Sequence, residues 1–411
     1  MSDTELLPHL FRTEYSKITA VLCRLFGLEY IETAEDIVSD TFLLAAETWG
    51  LKGLPANPVA WLYTVAKNKA LDFLKHNEVF NKKVAAELKQ HAEISYELKI
   101  DLSVQNINDS QLQMMFAICH PAISTEAQIG LSLNILCGFG AEEIADAFLS
   151  NKETIYKRLS RAKEKLRQEK IKMELPPQQE IHNRLETVLT TIYLLFSEGY
   201  YSTSQNTTLR KDFCVEAMRL NLMLLDNEST NSPSATALLS LMCFHASRFE
   251  ARVNAQGDII LYEEQDETLW NTELIDKGKY YLNLASTGNK LSRYHLEAAI
   301  AYWHTHKKDS KEKWENILQL YNRLLQLEYS PVAALNRTYA LSKANSKEEA
   351  ITEAEKLGLE ENHLYHSLLG NLYSGMNNFK ARLHYEKALS IAKTNAEKKI
   401  ILNNLEKLST T

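Results

Sequence analysis

The sequence predicts an all-helical protein. Glycine and proline are scarce, with 13 and 8 among 411 residues, and both residue types are unfavourable inside helices. Apolar side chains recur at three- and four-residue spacing along most of the chain, which is the period of an amphipathic helix. The mean hydropathy is -0.30, and no apolar run approaches the length that crosses a membrane. We therefore predict several helical domains without membrane contact, because a chain of this length can form more than one core.

The overall charge and the cysteines exclude several functional classes. The formal net charge is -7, so a nucleic-acid-binding surface must be local, and residues 152–172 are the most basic stretch. The five cysteines are widely spaced and form no CxxC or Cys/His cluster. This pattern predicts buried free thiols in a reducing cytosol, and we expect no metal and no cofactor.

The N-terminal part contains two helices separated by a loop. A helix over Thr33–Trp49, with its first residue as the predicted N-cap, carries Asp36 and Asp40 on one outward face. The loop of residues 50–58 contains two glycines and two prolines, which end this helix and precede the next. That next helix, Trp61–His76, turns apolar side chains to one side and lysines to the other.

Two short helices joined by a turn are predicted over Ala141–Arg167. The second helix has an apolar stripe, Ile155, Leu159, Ala162 and Leu166. Its outward and flanking positions are polar or charged, namely Lys152, Glu153, Tyr156, Lys157, Arg158 and Arg161. Such a helix suits the major groove of DNA, where lysine and arginine bind phosphates and guanine edges. The alternative is a charged, solvated helix of a bundle, and Leu149 stands where the turn often has glycine.

Three segments resemble a known family, and they occur in that family's order. AEDIVSDTFLLAAETW and LPANPVAWLYTVAKNKALDFLK, residues 34–49 and 54–75, resemble region 2 of bacterial RNA polymerase sigma factors of the extracytoplasmic-function group. The helix pair Ala141–Arg167 resembles their region 4. FAICHPAISTEAQIGLSLNILCGF, residues 116–139, and the long tail are similar to a subgroup with a C-terminal tetratricopeptide-like extension.

The resemblance implies four segments in an all-α architecture. They are sigma region 2 (1–82), a polar linker (83–110), sigma region 4 with its helix-turn-helix (111–172), and a helical C-terminal extension (180–411) with tetratricopeptide-like repeats at about 315–405.

Region 2 is expected to have a polymerase-binding surface. The resemblance places Glu35, Asp36 and Asp40 against the clamp helices of the largest polymerase subunit. An acidic face against basic helices provides steering and register. The alternative is an ordinary solvated helix face.

Promoter contacts are likewise implied by the resemblance. Region 2 is expected to melt the −10 element and to hold an extruded base with Asn57, Trp61, Tyr63, Thr64, Lys67, Asn68 and Lys75. Trp61 is open between a core anchor, which we favour, and a base-stacking residue. Region 4 is expected to bind the −35 element through the polar and charged positions of its second helix. There Lys157 and Arg161 are best placed for base edges, and Arg158 for phosphate.

The tail contains helical patterns over 184–199, 212–225 and 235–252. His245, Arg248 and Arg252 precede an acidic run at 263–267. A catalytic cluster is one interpretation of these residues, and we favour a structural salt-bridge network. Further on, a tetratricopeptide pattern lacks one turn residue: Leu369, Gly370, Tyr373, Ala381, Tyr385 and Ala388.

A weaker copy of this repeat covers 331–357. Stacked repeats of this kind form a concave surface that binds a peptide or protein, and the alternative is that they only pack against the rest of the tail.

The sequence thus predicts a cytoplasmic, nucleoid-associated sigma factor without an active site of its own. Its partners are core RNA polymerase, promoter DNA and a protein or peptide ligand of the tail. Two other functions stay open at this point. A conventional repressor or activator would use the helix-turn-helix without polymerase, and a tetratricopeptide scaffold would need neither DNA nor polymerase.

Overall fold

The chain folds as two compact helical units, residues 1–195 (unit 1) and 196–411 (unit 2). The computed structural model describes residues 3–76, 100–147, 150–201, 211–254, 260–287 and 290–409. Helices are the regular elements of these ranges, which confirms the all-α prediction. None of the described helices is long and apolar enough to span a membrane.

Three long helices open unit 1: α1 (Asp3–Phe26), α2 (Ile31–Lys52) and α3 (Pro58–His76). Between α1 and α2, Gly27 has a φ of 100°, which favours glycine, and a 3-10 turn over Leu28–Tyr30 follows it. Helix α1 packs against both α2 and α3. The ring centroids of Phe26 and Phe73 lie 5.0 Å apart in the core that the helices share.

The predicted N-cap of α2 is wrong. Thr33 lies inside the helix, which begins at Ile31, and the side chain of Tyr30 makes no capping hydrogen bond. The physical reason is the 3-10 turn before the helix. Its last residue passes directly into helical backbone angles, so no extended residue stands at the boundary to act as a cap.

The rest of unit 1 contains α4 (Val104–Ile118), α5 (Thr125–Leu131), α6 (Ala141–Ala147), α7 (Lys152–Gln168) and the first part of α8 (Gln178–Tyr201). Ser124 caps α5 by accepting a hydrogen bond from the backbone N–H of Ala127. Asn151 caps α7 in the same way, at 2.8 Å from the N–H of Thr154. The helix-turn-helix pair is therefore fixed by local capping as well as by its apolar stripe.

Helix α4 lies along α1, so the segments assigned to regions 2 and 4 share one core within unit 1. The buried side chains of Gln111 and Ser16 meet there, with the amide nitrogen donating to the hydroxyl at 3.3 Å. Near the other end, Arg24 donates to the side-chain oxygen of Asn106 at 2.9 Å. These contacts join residues more than 80 positions apart in sequence.

After the end of α8, unit 2 contains α9 (Lys211–Asp226), α10 (Pro233–Ala246), α11 (Thr272–Ala285) and α12 (Arg293–Trp303). Helix α10 is the central element, because it packs against the other three and is buried on nearly all sides. A Cβ atom at Gly278 of α11 would lie 2.6 Å from the ring of Phe244 on α10. Glycine thus permits the close approach of these two helices.

Six further helices follow in the described part of unit 2: α13 (Lys311–Leu327), α14 (Pro331–Ala344), α15 (Lys347–Lys356), α16 (His363–Tyr373), α17 (Asn378–Ile391) and α18 (Asn395–Ser409). Each packs against the next along the chain. The residues of the predicted repeat pattern, from Leu369 to Ala388, are buried between α16 and α17. The α16–α17 pair thus buries the side chains that define the repeat pattern.

Some predictions fall outside the described residues. They are the linker from residue 83 to 99, Phe148 and Leu149 in the helix-turn-helix, and the turn at 255–258.

Candidate nucleic-acid interface

Helix α7 separates an apolar side from a polar one, as the sequence predicts. The stripe residues Ile155, Leu159, Ala162 and Leu166 are all buried. The predicted DNA-binding side chains lie elsewhere on the helix surface, where Arg158 is half-buried and the other five positions are exposed. Tyr156 is the most prominent apolar group of this surface, at 68% exposure. Helices α5 and α6 pack against the buried side and hold α7 in place.

Two ion pairs hold lysines on this surface. The Lys157 ammonium lies 2.7 Å from Glu153 one turn away, and Lys152 lies 3.2 Å from Glu142 of α6. All four side chains are more than half exposed, and exposed pairs of this kind contribute little stability. Each lysine can therefore exchange its carboxylate partner for a phosphate at low cost.

Helix α3 presents the second group of predicted DNA-binding residues. Thr64, Asn68 and Lys75 are exposed, and their spacing of four and seven places them on one face. Lys67 is half-buried at the side of this face. Hydroxyl, amide and ammonium groups are thus available together on one side of α3.

Three other predicted residues of this region have structural contacts. The Tyr63 hydroxyl donates to Glu14 of α1 at 2.6 Å, and its pKa is raised by burial and by that carboxylate. Asn57 caps α3 by accepting from the backbone N–H of Ala60 at 3.0 Å. Trp61 is half-buried against Trp49, with ring centroids 5.4 Å apart, a contact that accords with a core anchor.

The acidic face of α2 continues into exposed leucines. Asp36 and Asp40 are both exposed, and Asp40 lies 3.3 Å from Lys69 of α3. Leu43 and Leu44 follow at 60% and 38% exposure. Both leucines point outward, because Phe42 and Ala45 fill the inward positions of that turn. Sequence reasoning missed this apolar extension, although two adjacent leucines on an amphipathic helix were a signal for it.

Glu35 lies apart from the other two carboxylates. Its side chain is only 16% exposed and lies 2.7 Å from the ammonium of Lys163 on α7. Burial raises the pKa of the Glu35 carboxyl, and the nearby Lys163 ammonium acts in the opposite direction. The structure therefore brings Asp36 and Asp40 together on an open face and places Glu35 in an internal contact.

Comparison with known proteins shows which family this sequence belongs to. Residues 10–79, which run from α1 through α3, match the family model of sigma-70 region 2. An uncharacterized protein of Rhizobium meliloti (strain 1021) is 31% identical over 384 residues, which cover 92% of this chain and 90% of the relative. The chain belongs to the sigma-70 family. Residues 184–286 match a further family model, described as a family of unknown function (DUF6596). No solved structure matches the sequence.

The family assignment confirms the sigma-factor part of the resemblance. The chain is a sigma factor, with the role of that family in RNA polymerase binding and promoter recognition. Sigma-70 proteins are a non-enzymatic class of transcription factors. The acidic face of α2 and the polar face of α3 both lie within the matched region 2. The family model of unknown function extends from α8 to the end of α11, which sequence reasoning described only as apolar helices.

Two arginines of unit 2, Arg248 and Arg252, contact aromatic rings. The guanidinium carbon of Arg252 lies 3.9 Å from the ring centroid of Tyr200, and that of Arg248 lies 5.4 Å from Tyr262. Burial lowers the pKa of His245 well below its ordinary value, and the two arginines act in the same direction. Such cation–π contacts give these residues a structural role. Among the described residues, no group of three potential ligands could hold a metal ion.

Proposed function

We propose that this sigma factor belongs to the extracytoplasmic-function type and recognises two promoter elements with α3 and α7 while α2 binds core RNA polymerase. The observation that supports this most strongly is α7, an exposed basic face over a buried stripe, in a chain that begins with sigma-70 region 2. Polymerase supplies the chemistry, and the sigma factor supplies promoter choice and helps to open the duplex.

Polymerase binding is assigned to the open face of α2. Asp36 and Asp40 offer exposed negative charge to a basic partner surface. Leu43 and Leu44 add apolar area beside them, and protein interfaces combine an apolar centre with a polar rim. Both properties suit a helix that docks against basic helices of the polymerase clamp.

Binding of the −10 element is assigned to α3 and the loop before it. Thr64 and Asn68 can hydrogen-bond base edges, and Lys67 and Lys75 can bind phosphates. Leu51, at 88% exposure, lies in the last turn of α2 just before the loop and offers an apolar surface to an unstacked base.

Binding of the −35 element is assigned to α7, the second helix of a helix-turn-helix. Lys157 and Arg161 are exposed on its outer side and suit guanine edges in the major groove. Arg158 at the flank suits a phosphate. Because lysine and arginine contacts release counterions from DNA, binding by this face should weaken steeply with salt.

Footprinting on a promoter mapped by in vitro transcription tests the assignment. The chain with core polymerase should protect two patches, centred about 25 base pairs apart, and should start RNA at defined positions. A repressor would protect duplex DNA without polymerase, and a scaffold would protect none. Lys157→Ala should remove the upstream patch. Lys165→Ala, on the same helix but outside the predicted DNA-binding set, is the matched control and should leave the patch in place.

The tail is assigned a regulatory role through protein contacts, in keeping with its tetratricopeptide-like pattern. A variant that ends at Tyr201 keeps α8, whose Ile181 and Leu185 are buried and whose Arg184 donates to the Phe116 carbonyl oxygen at 3.2 Å. This variant should start RNA at the same positions with a changed yield. A yield and start pattern equal to those of the full chain would exclude the regulatory role.

A further inference from the structure

The second half of α7 contacts the beginning of α2 within unit 1. The Lys163 ammonium lies 2.9 and 2.7 Å from the two carboxylate oxygens of Glu35, although the residues are 128 positions apart in sequence. The two side chains are only 13% and 16% exposed. This ion pair is therefore shielded from solvent, and salt screens it less than it screens exposed pairs.

A second contact lies one helical turn further along α7. Arg167 is 2.7 Å from the carboxylate of Glu32 and donates to the backbone carbonyl of Glu29 at 3.2 Å. Lys163 and Arg167 stand four residues apart and face Glu35 and Glu32, which stand three apart. The two helices thus meet along matched rows of opposite charge.

These contacts use charged groups at a place where a stable core would use apolar ones. A shielded ion pair loses hydration on both sides, so its net contribution to stability is small. The same groups regain water when the helices separate, so the contact can open and close. An apolar contact of the same area would resist opening more strongly.

The contact also lies directly beside the surface assigned to polymerase. Glu32, Asp36 and Asp40 follow one another at four-residue spacing on α2 and form one continuous acidic row. Arg167 occupies the first member of this row, and Lys163 occupies the neighbouring Glu35. A basic surface of polymerase and the basic half of α7 would therefore compete for the same end of α2.

The distance between the two DNA-binding faces is a second reason to expect this contact to open. Helix α7 packs against the 3-10 turn before α2, and α2 packs against α3. With neighbouring helix axes 8–10 Å apart, the faces of α3 and α7 lie within roughly 30 Å of each other. Elements about 25 base pairs apart are separated by about 85 Å along B-form DNA. As arranged in the structure, α3 and α7 therefore cannot contact both promoter elements at the same time.

We propose that Lys163 and Arg167 form an internal latch on Glu35 and Glu32, which keeps α7 beside α2 in the free chain. Core polymerase opens the latch by taking the acidic end of α2 for its own basic helices. This inference rests on the proposed function, because it assigns α2 to polymerase and α3 and α7 to the two promoter elements.

Distance measurements on the free, full-length chain test the latch without polymerase. The five native cysteines are buried and free, as the sequence predicts, so spin labels can be placed selectively on Glu47→Cys of α2 and Ser160→Cys of α7, both exposed positions. The parent protein should give one narrow distance. Lys163→Glu, which sets like charges against each other, should broaden the distribution and lengthen its mean by about 10 Å, one helix diameter.

Controls separate opening from misfolding. Lys165→Glu makes the same charge change two residues away, where the partner is Glu169 of the same segment, and it should keep the narrow distance. The charge-swapped protein Glu35→Lys/Lys163→Glu should restore the narrow distance. An unchanged distribution in Lys163→Glu would overturn the latch, as would failure of the charge swap to restore it.

Affinity for core polymerase tests the competition. Since only the open form binds, the apparent dissociation constant of Lys163→Glu should fall about fivefold or more, and that of Lys165→Glu should not change. Equal affinities of Lys163→Glu and the parent would overturn the competition. If neither the parent nor the variants bind polymerase, the proposed function fails, whereas the distance measurement still decides whether the latch exists.

Discussion

Reversal of Asp36 and Asp40 to lysine is expected to weaken binding to core RNA polymerase by at least about tenfold. Both carboxylates are exposed on the open face of α2, so the substitutions replace attraction to a basic partner with repulsion. Loss of the 3.3 Å pair between Asp40 and Lys69 removes only an exposed contact. The fold should therefore persist, and circular dichroism and thermal unfolding of the variant should match those of the parent. Titration of labelled sigma factor with core polymerase measures the effect.

A double reversal elsewhere provides the matched control. Glu273 and Asp276 lie on α11, are exposed by 75% and 74%, and each pairs with a lysine three or four residues further along the helix. Their reversal to lysine changes the net charge by the same amount. Polymerase affinity should stay within about twofold of the parent value, since charges outside an interface affect binding only through long-range steering. A similar loss in both double variants would show that net charge, rather than the α2 face, governs binding.

Helix faces follow from sequence because they depend on residues three and four apart. The four-residue apolar stripe of α7 is buried as predicted, and Asn151 caps that helix. The N-cap prediction at Thr33 failed on equally local grounds. The residues before α2 form a 3-10 turn that continues into the helix, and no propensity for capping at Thr33 can act once the backbone is already helical.

Contacts between distant segments could not be derived from periodicity. Glu35 and Asp36 are neighbours in an acidic run and share one role in the resemblance, yet the fold largely covers the first beside Lys163 and leaves the second exposed. The resemblance places Tyr63 among the DNA-binding residues of α3, and the structure shows that its hydroxyl contacts Glu14, 49 positions away. In both cases the deciding partner lies on another helix, so spacing within one helix carries no information about it.

The latch explains why Glu35 and Asp36, which are adjacent on α2, have different roles. A residue that points toward α7 is paired inside the free chain, and the next one points to solvent. Both are acidic because each must meet a basic surface, the first in the closed chain and the second in the polymerase complex. One acidic run thus serves two alternative partners, which is the arrangement that a competitive switch requires.

Replacement of Gly370 by alanine is expected to destabilise the α16–α17 pair by about 1–2 kcal/mol. A Cβ atom at this position would lie 2.8 Å from the ring of Tyr385, which is itself 97% buried and cannot swing away. Overpacking of this kind costs about 1–3 kcal/mol, and the better helix propensity of alanine returns at most about 1 kcal/mol. Native-state hydrogen exchange of amides in α16 and α17 measures the local free energy of opening.

Two further variants test whether the cost of Gly370→Ala arises from the close contact between Gly370 and the ring of Tyr385. Gly50→Ala also changes a helical glycine, but its Cβ would meet no atom within 4 Å, so it should stabilise α2 by up to about 1 kcal/mol. Tyr385→Leu removes the ring, and in that background Gly370→Ala should cost much less than in the parent, a coupling that additive effects cannot produce. Equal costs of Gly370→Ala in the two backgrounds would contradict the assignment of that cost to the contact with Tyr385.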